Sequence, residues 1–181
     1  MKKIIIVSDI HGLNSIQFTK WIQEYKRHLS DKYDIVIYDA TVLASISVSN
    51  SYNGEEEIHR QFINGGIERA VNRLILPENK NSIGVGFSIG GTILWKAALK
   101  GLGISELICF SSTRIRYESD KPNCRIKLIF GQNDAYQPGE EWYKKMGLKV
   151  DVLPDLGHNF YSSPNYIDEI SVVIHDFLNS K

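Results

Sequence analysis

A serine hydroxyl becomes a competent nucleophile only when a base takes its proton and a third group holds the base. Ser88 sits at the centre of Gly86-Phe87-Ser88-Ile89-Gly90, a G-x-S-x-G pentapeptide directly after a strand-like run and directly before a helical one. A turn between two such elements is sharp, and the positions two residues either side of the serine must be small because strand and helix crowd together. Gly86, Gly90 and the additional Gly91 meet that demand. The hydroxyl then stands clear of the backbone at the positive end of a helix, with the Ile89 amide pointing to where a tetrahedral oxyanion would form. A glycine-rich turn carrying an incidental serine is the plainer alternative. A dinucleotide fingerprint through Gly84 and Gly86 does not hold, because its third glycine would fall on Ile89.

Five histidines compete for the role of base. His28, His59 and His175 fall within helical stretches and read as solvated or packing residues. His158 follows the last strand-like run, in Leu156-Gly157-His158-Asn159-Phe160, where the glycine lets a loop pass close to a site. Asp134 follows the preceding run, in Gly131-Gln132-Asn133-Asp134. A loop aspartate is often only a turn residue. The chain order Ser88, Asp134, His158 is nevertheless the order in which strand-to-helix serine elbows find their partners. Asp155, in a Pro-Asp turn three residues before His158, is the rival acid.

Ser8-Asp9-Ile10-His11-Gly12 can be read in two ways. As part of a serine site, this loop supplies a second oxyanion amide from Ile10 or Leu13, with Gly12 permitting the close approach. As a metal site, Asp9 and His11 form an Asp-x-His start that resembles the calcineurin-like metallophosphoesterases, in which two divalent metals activate water. That reading lacks its further ligands. Tyr38-Asp39-Ala40-Thr41 has no Gly-Asp, and Gly157-His158 has no second histidine.

The elements that must position these residues alternate. Lys3 to Ser8 is a β-branched run and reads as a strand buried on both faces. Asn14 or Ser15 can cap a helix whose apolar face is Phe18, Trp21, Ile22, Tyr25 and Leu29. Asp34 to Tyr38 is a second strand. After the Asn53-Gly54 break, Ile58, Phe62, Ile67, Ala70, Val71 and Leu74 mark one amphipathic helix ending before Pro77. A third strand, Ser82 to Phe87, leads into a helix over Gly91 to Lys100. Strands follow at Glu106 to Ser111 and Arg125 to Phe130, separated by Ser112 to Cys124, which has no helical pattern. A helix near Gly139 to Met146, a strand at Lys149 to Leu153 and a helix at Asn165 to Leu178 complete the chain. Short Val/Ile-rich strands alternating with helices predict an α/β fold, a three-layer αβα sandwich around a mostly parallel sheet of about six strands. In such sheets the active residues collect in the loops after the carboxyl ends of the strands.

The 181 residues suit one domain, 1–181, with 43% apolar and 23% charged residues in the proportions of a soluble globular protein. Basic and acidic residues balance at 21 each, so no electrostatic footprint points to nucleic acid or an anionic membrane. The apolar run after Met1-Lys2-Lys3 is too short for a signal peptide or a membrane span. Cys109 reads as core and Cys124 lies beside a turn. Without metal-ligand spacing, the pair suggests a reduced, cytoplasmic protein.

Taken together, the four loops resemble the dienelactone hydrolase branch of the α/β-hydrolases. Asp9-Ile10-His11-Gly12-Leu13-Asn14 is similar to that branch's segment after its early strand, with His11 where an aromatic is more usual. Gly86 to Gly91 is similar to its elbow, with serine in place of cysteine. Gly131-Gln132-Asn133-Asp134 with Pro138 matches its acid loop, and Gly157-His158-Asn159-Phe160 its histidine loop. The resemblance implies a minimal α/β-hydrolase fold without a lid and an ester or thioester hydrolase that needs no metal or organic cofactor. Its partner would be a small-molecule ester, with no nucleic acid or membrane involved. The substrate walls are expected from Ile46 to Tyr52, Ser112 to Tyr117 and Tyr136, with His11, Tyr136 and Arg114 as contacts. Arg114 and Arg116 could meet an acidic group or simply form a solvated edge, which is the preferred reading. Trp95 and Trp142 read as packing residues. A hydrolase fold kept as a binding module remains the reading from another class.

Overall fold

A computed structural model describes residues 1–13, 16–47 and 54–180, with side chains from 19 onward in the first helix. Six strands form one sheet: β1 (Lys2–Val7), β2 (Tyr33–Tyr38), β3 (Ser82–Phe87), β4 (Ile104–Phe110), β5 (Arg125–Gly131) and β6 (Val150–Leu153). Their order across the sheet is β2-β1-β3-β4-β5-β6, and every pairing is parallel. The chain steps from β1 outward to β2, then returns to place β3 on the other side of β1. That reversal opens a crevice at the carboxyl ends of β1 and β3, where sheets of this kind place their ligands.

The alternation of side chains along each strand divides the core into two layers. On one face Ile4, Ile6, Ile83, Val85 and Phe87 pack under α1 (Ile16–Leu29) and α7 (Ile167–Asn179), with Trp21, Ile22, Ile170 and Ile174 facing them. On the other face Ile5, Val7 and Leu107 meet α4 (Ile67–Leu74) and α5 (Ile89–Leu99). β3 presents Gly84 and Gly86 to this second face. A Cβ on Gly86 would enter the backbone of Gly91, so its absence lets α5 lie directly against the strand. The remaining helices are α2 (Ala40–Leu43), α3 (Gly54–Gln61) and α6 (Glu140–Met146). Among the described residues no helix is long and apolar enough to cross a membrane.

The structure differs from the periodicity in three places. The helix expected as one piece from Ile58 to Leu74 breaks at Phe62–Gly66, where Asn64 and Gly65 leave helical geometry and Gly65 takes φ +91°. Its apolar stripe is continuous, yet Asn-Gly-Gly favours the left-handed turn over the helical one. α2 is an unexpected short helix, capped by the Asp39 carboxylate on the amides of Thr41 and Val42. Ser112 to Cys124 contains a 3₁₀ turn at Thr113–Tyr117. Trp95 is fully buried and packs against Trp142 at 5.8 Å. Their indole N–H groups donate to the carbonyls of Asp120 and Glu118, so both are packing residues. The expected caps Asn14 and Ser15 and the side chain of Phe18 lie outside what is described.

Candidate active site

Ser88 occupies the turn between β3 and α5 with φ 50° and ψ −115°, a conformation an L-residue rarely adopts. Its own N–H donates to the Phe110 carbonyl at 2.8 Å, tying the turn to β4. Gly90 is required two residues later, since a Cβ there would strike the backbone oxygens of Val7 and Ser8 after β1. Strand, helix and the neighbouring loop thus converge on a single serine.

The Ser88 Oγ lies 2.9 Å from His158 Nε2, and His158 Nδ1 lies 2.7 Å from Asp134 Oδ2. With the Nδ1 proton directed at the carboxylate, Nε2 presents its lone pair to the serine hydroxyl. The two loops that carry His158 and Asp134 are bound to one another. Asn133 N–H donates to the Leu156 carbonyl and Gln132 N–H to that of Leu153, each at 2.8 Å. Gly131, at the end of β5, leaves room for this, because a Cβ would collide with the carbonyls of Leu156 and Gly157. Ser111, itself at φ +46°, donates its hydroxyl to the His158 carbonyl at 2.7 Å. The Asp134 side chain is 1% exposed and also accepts the Tyr136 N–H at 3.2 Å, whereas the His158 ring is one-third exposed. Asp155 is exposed at φ +61°, and among the described residues His158 pairs with Asp134 and not with it. The rival acid is therefore a turn residue.

After β1 the chain wraps around Asp9, which is 3% exposed. Asp9 Oδ1 accepts the His11 N–H at 3.0 Å, Oδ2 accepts the Tyr161 hydroxyl at 3.2 Å, and its carbonyl accepts the Gly12 N–H. Burial pushes the Asp9 carboxyl above the ordinary carboxylate value, against the pull of His11, Tyr161 and His158. Leu13, expected as one source of an oxyanion amide, is corrected by this geometry: its N–H donates to Asp39 Oδ2 at 2.6 Å and is already engaged. The amides of Ile10 and of Ile89, the first helical residue, have no acceptor among the described residues.

Ile10, Ile89, Ser88 and His158 border a hollow of ≈ 350 Å³. Arg114 and Tyr136 form part of its wall. His11 does not line it; its ring lies within electrostatic reach of Asp9 instead. Of Ser112 to Tyr117 only Thr113 and Arg114 reach the hollow, because Ser112 and Ile115 are buried and Arg116 donates to the carbonyls of Thr113 and Tyr136. Of the expected wall at Ile46 to Tyr52, Ile46 packs on the core and residues 48–52 lie outside the described residues.

Glu55, His59 and Asn159 also line the hollow and escape the sequence reading. Glu55 and His59 stand four apart and so share one face of α3, a spacing that would have flagged them had the helix been placed over the site. Burial, with Arg114 and Arg116 nearby, holds the His59 imidazole below its ordinary value, while Glu55 opposes the shift. Among the described residues no group of three or more His, Cys, Asp or Glu side chains could hold a metal. Both Asp9 oxygens already accept hydrogen bonds, so the Asp9/His11 donor set does not fit the dimetal reading.

No family model matches the chain, and no curated protein sequence matches it. Solved structures do. A member of the a/b serine hydrolases without a lid, from Xanthomonas campestris, superposes with TM-score 0.58 at 15% identity, over 100% of this chain and 85% of its own. Alpha/beta hydrolase domain-containing protein 10 from mouse gives TM-score 0.61 at 15% identity, over 98% and 89%. A thermophilic esterase from Thermogutta terrifontis gives 0.58 at 14%, over 98% and 89%. The chain has the α/β-hydrolase fold, a parallel six-stranded sheet covered by helices on both faces.

Proposed function

We propose that the protein is a serine hydrolase that cleaves a small carboxylic ester or thioester through an acyl-enzyme on Ser88. The observation that carries this reading is the continuous chain from Ser88 Oγ to His158 to Asp134, at 2.9 and 2.7 Å, beside the amides of Ile10 and Ile89, which are unengaged among the described residues. Ser88 Oγ attacks the carbonyl carbon as its proton passes to His158 Nε2, and Asp134 balances the imidazolium and holds the ring. The negative charge that develops on the carbonyl oxygen meets the Ile10 and Ile89 amides, at the positive end of α5. Collapse of the tetrahedral species breaks the bond to the leaving alkoxide or thiolate, which takes the proton from His158. Water then gives a proton to His158 and attacks the acyl carbon, releasing the acid and free Ser88. The resemblance of the four loops to the dienelactone hydrolase branch supports an ester or thioester as the bond cleaved. Tyr136, 68% exposed, and Arg114 leave the entrance open to a small substrate.

The test needs no knowledge of the substrate. Treatment with a fluorophosphonate probe, followed by mass-spectrometric mapping, is expected to give one adduct on Ser88 that disappears in His158→Ala. Absence of any adduct in protein shown to be folded would overturn the reading in favour of an idle binding module.

A further inference from the structure

We propose that Tyr161 is a positioning residue of this site, whose buried hydroxyl ties the turn after His158 to the loop that carries the Ile10 amide. The inference rests on the serine hydrolase reading. Tyr161 lies three residues beyond His158 in a 3₁₀ turn, Phe160–Ser162, and is 1% exposed. Its hydroxyl donates to Asp9 Oδ2 at 3.2 Å. A phenol has one proton. Committed to Asp9, that proton ties the turn that follows His158 to the loop after β1.

The other end of the contact explains why a carboxylate is kept in so buried a position. Asp9 gathers the His11 amide on its second oxygen and the Gly12 amide on its carbonyl, so the turn that carries Ile10 is folded around it. Without the phenol, Asp9 Oδ2 would be left buried with no donor, at a cost that favours rearrangement of the turn. Tyr161 also packs against the His158 ring at 6.3 Å, and its own carbonyl accepts the Tyr25 hydroxyl at 2.8 Å. One side chain thus touches the base and the residue that shapes the oxyanion turn.

Tyr161→Phe separates position from packing, because the ring stays among Trp21 at 5.4 Å and Phe87 at 5.2 Å. With a p-nitrophenyl ester, its kcat should fall between about 10- and 100-fold, less than for loss of an oxyanion donor, while KM changes by less than about threefold. The rate of fluorophosphonate labelling at Ser88 should fall in parallel. Asp9→Ala should act through the same link, so the double variant should lose little more than the worse single one. A folded Tyr161→Phe protein with wild-type kcat and labelling rate overturns the proposal, as does strict additivity of the two losses. If the wild-type protein itself neither labels nor turns over ester, the parent reading fails instead.

Discussion

The carboxylate of Asp39 takes the backbone N–H of Leu13 at 2.6 Å across 26 residues, and with its other oxygen caps α2 on Thr41 at 2.7 Å. Between these two ties the turn after β1 closes back on itself. Gly12 makes the closure possible: its φ is +61°, and a Cβ there would run into the Asp39 carboxylate. Asp39→Ala removes both ties and should lower stability by about 1–2 kcal/mol in urea denaturation. It should also slow ester turnover, because the Ile10 amide lies in the same turn. Turnover unchanged at full folding would mean that Asp9 alone shapes that turn.

Asp134→Asn keeps the shape of the acid but offers an uncharged group to His158. Turnover should fall by about three to four orders of magnitude with little change in KM, as expected when the imidazolium loses its partner and the tautomer its anchor. Steady-state kinetics on a p-nitrophenyl ester would read it. A loss below tenfold would remove Asp134 from the mechanism.

Glycines around the elbow differ sharply in what they tolerate. Gly90→Ala would drive a methyl into the Val7 and Ser8 carbonyls, and Gly86→Ala into the Gly91 backbone, whereas Gly139 has nothing within 4 Å. Thermal melts should show the first two destabilised by about 1–3 kcal/mol or more. Gly139→Ala should stay within about 0.5 kcal/mol of wild type.

Asp9 provides a pH signature. Its carboxyl is raised above the ordinary 3.8 by burial, so the folded state binds the proton more tightly than the unfolded chain does. The resulting stability is complete below the unfolded value and is lost as pH rises through the folded one. At neutral pH the fold therefore carries the cost of a buried carboxylate faced by Tyr161, His11 and His158. Asp9→Asn should melt higher than wild type at pH 7, and the difference should shrink toward pH 4. A difference constant across that range would show that ionisation of Asp9 does not contribute.

The two thiols should be slow. Cys109 is fully buried and pushed far up by burial, and burial pushes Cys124 up to about 11. At pH 8 a disulfide reagent should titrate them sluggishly in the native protein and at once after denaturation, because the thiolate is the reacting form. Rapid native labelling of Cys124 would contradict its half-buried placement.

The legible part of this protein is the part encoded by near neighbours. A strand such as Ser82–Phe87, seen with the bounds its sequence predicts, follows from residue type and period over six positions. The strained turn at Ser88 follows from glycines two residues either side. Their places after successive strands, in chain order, made Asp134 and His158 candidates, 46 and 70 residues from Ser88. Their hydrogen-bonded chain depends on how β3, β5 and β6 register in one sheet. The kink at Asn64–Gly65 was written locally but hidden by an apolar stripe that continues across it. Leu13, engaged by Asp39, and Tyr161, buried against Asp9 152 residues away, depend on loops meeting above the sheet. Hydrogen bonds over such separations follow from strand order and layer packing, which no local pattern records. Composition and spacing therefore marked the candidate residues, while tertiary structure decided which amides are open, which carboxylate is buried and which side chains meet.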